Sequence, residues 1–243
     1  MRAMIFAAGL GTRLKPLTDT LPKALVPVGG KPLLQILIDR LAASGFTEAV
    51  VNVHHFSEKI VDYLYYHKQP IKISVSDESA LLLETGGGIR KAARFFANGE
   101  PFLIHNVDIL HNVDLRRFYE ENAHKADAVL LVSPRKTSRY FLFDDQNQLV
   151  GWTNVQTGEV RSPYPDLDVN QCHKYAFGGI HIFNPRLFQE MDHWPAKFSI
   201  VDFYLDICAK YPILGVVKED LQLVDVGKLD TLAKAEEFLN LQK

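Results

Sequence analysis

The chain has 243 residues, 47% of them hydrophobic and 23% charged, which excludes a collagen-like, low-complexity or disulfide-stapled chain. Lys and Arg total 27 against 29 Asp and Glu, a net charge of -2, so the basic excess that coats a nucleic-acid backbone is missing. No apolar run approaches the ~20 residues of a membrane span. The first run is not followed by a signal-cleavage pattern, and Cys172 and Cys208 form no motif, so a reducing, cytoplasmic setting is expected.

From the amino terminus, residues 3–7 are continuously apolar and read as a buried strand. Residues 9–31 are rich in Gly, Pro, Thr and Lys and read as a long loop. Pro32 suits a first helical position, Leu33, Leu37 and Leu41 repeat at i, i+4, and Gly45 suits the stop. Residues 49–53 read as a second strand and 57–67 as a helix with Ile60, Val61 and Leu64 on one face. Residues 71–75 alternate as a half-buried strand, and 88–97 read as a helix. Residues 102–104 are a strand that runs into His105-Asn106-Val107-Asp108; 114–124 are helical and 127–132 a strand.

Strands alternating with helices of this kind imply βαβ units, an α/β class and a central, mostly parallel sheet flanked by helices. Functional residues then belong just past the carboxyl ends of strands, in loops 8–23, 77–88 and 105–112. From about residue 139 the texture turns β-rich. Residues 140–143 and 149–152 read as a hairpin, 153–172 as a polar excursion and 175–183 as a strand. Residues 187–191 and 201–209 look helical, 214–217 a strand and 232–241 a closing helix. A single domain over residues 1–243 is expected, in two halves, 1–135 and 136–243.

The first loop carries the chemistry. Ala8-Gly9-Leu10-Gly11-Thr12-Arg13 supplies two glycines that permit close backbone approach, and successive N–H groups that can form an anion nest. Arg13 adds a bidentate fork for phosphate oxygens, and Lys23, after the stiffening Pro22, a compact second cation. Such a loop suits a polyphosphate. The dinucleotide fingerprint fails, because Leu14 stands where its third glycine belongs and Pro16 and Pro22 oppose an immediate helix. The G-x-x-x-x-G-K-[ST] phosphate loop is absent.

Gly9-x-Gly11-Thr12-Arg13, Pro22-Lys23-Ala24-Leu25-Val26-Pro27-Val28 and Lys31-Pro32-Leu33 together resemble the signature of the sugar-1-phosphate nucleotidyltransferases, the NDP-sugar pyrophosphorylases. The stretch Asn52-Val53-His54-His55-Phe56 with Glu84-Thr85-Gly86-Gly87-Gly88 is similar to the N-acetylmuramate-1-phosphate uridylyltransferase branch, with the mannose-1-phosphate guanylyltransferase-like branch close beside it.

The resemblance implies a Rossmann-like, GT-A-type fold with a nucleotide-binding first half and a sugar-binding, closing second half. It implies an NTP and a sugar 1-phosphate as substrates, Mg²⁺ as cofactor, and a monomer or homodimer. Arg13 and Lys23 are then the catalytic cations. Asp108 and Asp225, each just past a short apolar run, match the two metal-binding aspartates, although Asn106-Val107 stands where the first usually follows Gly. Ala8, Gly9, Gly11, Thr12, Glu84, Thr85, Gly86 and Gly87 would hold the nucleotide. Asn154, Glu159 and Gly179 would face the sugar, with Arg161 or Lys174 replacing the Lys that many members carry on the sugar phosphate. The nine histidines form no zinc motif and are expected to be structural or on the surface. A non-catalytic nucleotide-sugar-binding module on the same fold is the alternative; the presence of Arg13, Lys23, Asp108 and Asp225 favours an enzyme.

Overall fold

The apolar runs of the sequence become strands in a computed structural model that describes residues 1–241. In chain order the elements are β1 (Arg2–Phe6), β2 (Pro27–Val28), β3 (Lys31–Pro32), α1 (Leu33–Ala43), β4 (Glu48–Val53), α2 (Ser57–Tyr66) and β5 (Lys72–Asp77). There follow α3 (Glu84–Ala92), β6 (Phe102–Asn106), β7 (Ile109–His111), α4 (Leu115–Asn122), β8 (Ala128–Ser133), β9 (Arg139–Phe143), β10 (Leu149–Asn154) and β11 (Glu159–Arg161). Last come β12 (His173–Phe183), α5 (Ile200–Ile207), β13 (Ile213–Val217), β14 (Leu223–Asp225) and α6 (Asp230–Leu241). No described helix is long and apolar enough to cross a membrane.

The chain divides into two compact units: Met1–Leu82, Ile104–Phe118 and Gln222 onward form the first, Leu83–Leu103 and Tyr119–Leu221 the second. In the first, β1 pairs in parallel with β4, and β4 with β5, with Met4 opposite Val50 and Val50 opposite Ser74. Strand β6 lies on the other side of β1. Met4, Ile5, Val51 and Val53 are fully or almost fully buried, as a covered parallel sheet requires. Helix α1 buries Leu33, Leu34, Leu37, Ile38 and Leu41, one stripe at helical spacing. It stops where expected. Gly45 takes a φ of +83°, its N–H bonds the Ala42 carbonyl at 3.0 Å, and the Phe46 N–H returns to Leu41 at 3.0 Å. Two short antiparallel ribbons, β2–β3 and β7–β14, complete this unit.

The second unit is the β-rich part. Strand β13 pairs in parallel with β8, and β8, β12, β9, β10 and β11 follow as successive antiparallel neighbours. Strand β12 is eleven residues long and serves β9 with its first part and β8 with its last. Every residue of β8 is buried, so its near-continuous apolar run reflects burial on both faces. Aromatic rings fill the core, with Phe183 5.5 Å from Phe102 and 5.3 Å from Phe188, centroid to centroid. The fold class is therefore α/β, as the sequence implies. Three details differ from the sequence pattern. Helix α3 starts at Glu84 and so runs through three glycines; residues 185–191 form a 3-10 helix; and β7 is a separate short strand.

Three buried imidazoles, His105, His111 and His181, make the fold acid-sensitive. Burial pushes His105 down to about 4 and His181 down to about 3, and His181 also shares a 3.0 Å hydrogen bond with the buried Tyr204 hydroxyl. Below the ordinary imidazole value near 6.5 the unfolded chain takes up protons that the folded chain refuses. Stability is then complete above pH 6.5 and falls as the pH drops through the range down to about 4, by about 1.4 kcal/mol per pH unit for each such group. Urea unfolding at pH 7.5, 6, 5 and 4.5 should show this decline; a flat profile would mean that none of the three rings is buried neutral.

Candidate active site

The first unit gathers the predicted phosphate loop and both aspartates. Where β1 ends, the Ala7 N–H donates to Asn52 Oδ1 at 2.8 Å, and Asn52 Nδ2 donates to Glu78 Oε1 at 2.8 Å. Asn52 and Glu78 are buried, so this bond fixes how the loop leaves the strand. The loop then turns through short 3-10 segments, Thr12–Leu14, Leu17–Asp19 and Lys23–Leu25, and no helix opens, in keeping with its prolines.

Gly11 has a φ of +65°, and a Cβ there would stand 2.9 Å from Thr18 Cγ2 and 3.1 Å from Lys23 Cβ. Glycine is needed on both counts. Gly9 meets nothing within 4 Å, so its small size is not demanded by packing. Ala8 is buried, whereas Gly9, Thr12 and Arg13 are exposed. Leu14 is fully buried and plugs the loop into the core, which accounts for the side chain that breaks the dinucleotide fingerprint.

Lys23 is only 8% exposed, and its ammonium is ion-paired with the Asp108 carboxylate. Asp108 lies in the turn between β6 and β7. Two backbone bonds hold that turn: Val107 N–H to Phe6 O at 3.1 Å, and Val226 N–H to Asp108 O at 2.8 Å. Asp225 ends β14 opposite Ile109, so strand pairing makes neighbours of the two aspartates. A Cβ on Gly227 would sit 2.7 Å from Asp225 Oδ1 and 2.8 Å from Arg13 Nη2; carboxylate and guanidinium thus flank one spot. Arg13, Lys23, Asp108 and Asp225 are brought into one cluster of two cations and two carboxylates. Among the described residues no group of three or more His, Cys, Asp or Glu could hold a metal. A hard divalent cation here would draw its remaining ligands from substrate oxygens and water.

The second unit holds the other predicted residues. Glu84 is exposed, has a φ of +59° and pairs with Lys197 at 3.4 Å. Thr85 Oγ1 accepts from the Ile200 N–H at 2.9 Å. The N–H groups of Gly86 and Gly87 donate to Phe198 O at 2.9 and 3.3 Å. A Cβ on Gly86 would run into the Phe198 ring, and one on Gly87 into the Ala196 carbonyl. These two glycines make room for the chain's own segment 196–198, which also explains a helix that starts through glycines. Nothing in the local sequence names that partner.

Asn154 and Glu159 line a cleft of about 360 Å³ with Arg139, Trp152, Arg161, Ser199, Val201 and Asp202. Register builds it: Arg139 and Glu159 both face Asn154, on the strands either side, and Trp152 faces Arg161. The Arg161 guanidinium lies 5.4 Å from the Trp152 ring centroid and is ion-paired with Asp202. Arg139 and Trp152 were not singled out from sequence, since only strand pairing puts them beside Asn154. Lys174 and Gly179 do not line this cleft. Gly179 has a φ of +72° and lies where the β12–β8 register shifts between Phe177 and His181. It serves a bulge.

A sequence profile of the family described as "Nucleotidyl transferase" matches residues 2–242. The chain is 32% identical over 227 residues to an N-acetylmuramate alpha-1-phosphate uridylyltransferase of Caulobacter vibrioides, covering 90% of this chain and 89% of that one. It is 30% identical over 244 residues to a D-glycero-alpha-D-manno-heptose 1-phosphate guanylyltransferase of Aneurinibacillus thermoaerophilus, covering 98% of each. Its fold is similar to the crystal structure of HddC from Yersinia pseudotuberculosis complexed with GMP-PN, with a TM-score of 0.74 at 22% identity over 98% of this chain and 99% of that one.

Two substitutions test this geometry. Asn52→Ala strips partners from the Ala7 N–H and the Glu78 carboxylate at once and should cost about 2–4 kcal/mol in urea unfolding. Gly179→Val places a β-branched residue at positive φ and should cost about 1–3 kcal/mol. If the valine variant melts like the parent, the bulge does not need its glycine.

Proposed function

The chain belongs to the nucleotidyl transferase family, and we propose that it joins a nucleoside triphosphate to a sugar 1-phosphate, giving an NDP-sugar and pyrophosphate. The observation that carries this reading is the cluster of Arg13, Lys23, Asp108 and Asp225 beside the glycine loop that follows β1. The uridylyltransferase and guanylyltransferase relatives leave two pairs of substrates: UTP with N-acetylmuramate 1-phosphate, or GTP with mannose or heptose 1-phosphate. Both suit a precursor of cell wall or surface polysaccharide. We place the reaction in the cytoplasm, with the enzyme a monomer or homodimer.

The reaction needs alignment and charge neutralisation more than proton transfer. A phosphate oxygen of the sugar 1-phosphate attacks the α-phosphorus. A new P–O bond forms there, the α–β anhydride bond breaks, and its electron pair leaves with pyrophosphate. The nucleophile is already an anion, so a general base is unnecessary. In the first unit, Ala8, Gly9, Gly11 and Thr12 offer backbone donors to the polyphosphate, and Arg13 faces the departing pyrophosphate. Lys23 supports charge on the α-phosphate or on the incoming phosphate.

Asp108 and Asp225 would hold Mg²⁺, because paired hard carboxylate donors plus phosphate oxygens and water match its habits. When bound, that ion supplies charge neutralisation at phosphate oxygens. In the second unit, Glu84 and Thr85 with the adjoining Gly86 and Gly87 are assigned to the nucleoside. Asn154, Glu159, Arg139 and Arg161 are assigned to the sugar phosphate.

Pyrophosphate release from a matrix of five NTPs and several sugar 1-phosphates tests the proposal and identifies both substrates. No release from any pair would refute it. Asp108→Asn and Asp225→Asn should each lower turnover by about a hundredfold or more, with melting checked alongside, because an amide is a poor ligand for a hard cation. Arg13→Lys should also lose turnover, since a point charge replaces a bidentate fork. A lysine variant that matches the parent would make Arg13 a surface cation only.

A further inference from the structure

We propose that His105 and His111 act as a hydrogen-bonded positioning pair that sets the Asp108 carboxylate for a divalent cation, an inference that rests on Asp108 being a cation ligand.

Both imidazoles are fully buried. His105 lies near the end of β6 and His111 ends β7, so the pair brackets the turn that carries Asp108. Their Nε2 atoms are 2.8 Å apart. The surrounding bonds decide which nitrogens carry protons. The Val113 N–H donates to His111 Nδ1 at 3.0 Å, so that nitrogen is bare and His111 carries its proton on Nε2. His105 Nδ1 lies 2.7 Å from the Asn106 carbonyl, which only accepts, so His105 is protonated on Nδ1 and bare at Nε2. His111 Nε2–H therefore donates to His105 Nε2. Every ring nitrogen is used, and the chain of three bonds holds two ring protons and no more. Burial agrees with this count, holding both rings below the ordinary imidazole value.

The chain of bonds ties residue 113 to residue 106 across the β6–β7 turn and the short strand that follows it. Val113 is pinned a second time, its carbonyl accepting from Arg40 Nη2 at 3.0 Å. Asn106 immediately precedes Val107, which hangs on Phe6, and Asp108, whose carbonyl holds Val226. Strand β7, which follows that turn, presents Ile109 to Asp225. An apolar pair of similar size would fill the space without the desolvation that two imidazoles incur. What the imidazoles add is direction: they fix the Asn106 carbonyl and the Val113 N–H, and with them the path of the backbone through Asp108. Support of this kind around a ligand typically changes metal affinity by about 10–100-fold.

The test measures Mn²⁺ binding directly by electron paramagnetic resonance titration of the full chain with a non-hydrolysable nucleotide present. Nucleotide affinity without metal and thermal melting are followed in parallel. His105→Phe keeps the bulk and removes the bonds. It should weaken Mn²⁺ binding about tenfold or more, with metal-free nucleotide affinity within about twofold of the parent. His105→Gln, which retains an acceptor for His111, should recover part of the loss. His111→Asn, which retains an acceptor for Val113, gives a second reading should the phenylalanine variant not fold. A lowered melting temperature with unchanged Mn²⁺ affinity would overturn the proposal and leave the pair a packing device. Parental protein that binds no Mn²⁺ but releases pyrophosphate would refute Asp108 as ligand, and the pair's role with it, while sparing the transferase reading. Absence of both would refute all three.

Discussion

Lys23 can be buried as a cation because the Asp108 carboxylate faces it. An unpaired ammonium there would carry a large desolvation cost, and breaking such a pair typically costs several kcal/mol. The pair is thus weak evidence for stability and strong evidence for placement. It joins the far end of the phosphate loop to the turn between β6 and β7. That turn is itself suspended from β1 through Phe6 and from the β14 side through Val226. Shift any of these backbone bonds and the charges no longer meet.

The same logic governs how the remaining charges are arranged. Arg13 and Asp225 are exposed, yet both stand against Gly227, where a side chain would have to displace one of them. The cluster therefore balances two cations against two carboxylates before any substrate arrives. In the proposed reaction a polyphosphate would bring negative charge to the cations and a divalent ion positive charge to the carboxylates, so that each would improve the site for the other.

In the second unit the constraint is steric as well as polar. The start of α3 is built around Phe198, whose ring and carbonyl occupy the space that side chains on Gly86 and Gly87 would need. A glycine-rich segment that resembles a ligand cradle is thus partly a packing solution within the protein. The cleft over β9, β10 and β11 is a product of register: one-residue slippage would turn Arg139, Asn154 and Glu159 to the opposite face.

The sequence by itself determined what local physics controls. Gly11, Pro16 and Pro22 specify a loop that turns tightly and does not open a helix, because their backbone preferences act within a few residues. Buried apolar runs alternating with one-faced helices specify α/β, and Gly45 specifies where α1 ends. Arg13, Lys23, Asp108 and Asp225 stand out as candidates for the same reason: residue type and strand-end position are local facts. Which of these charges meet was not local. The β7–β14 pairing, the exchange between His105 and His111, the Phe198 contact with Gly86 and the place of Arg139 beside Asn154 all join segments whose contact depends on strand register and chain crossing. Only the tertiary structure decides those, since short-range preferences are the same whichever distant segment packs against them.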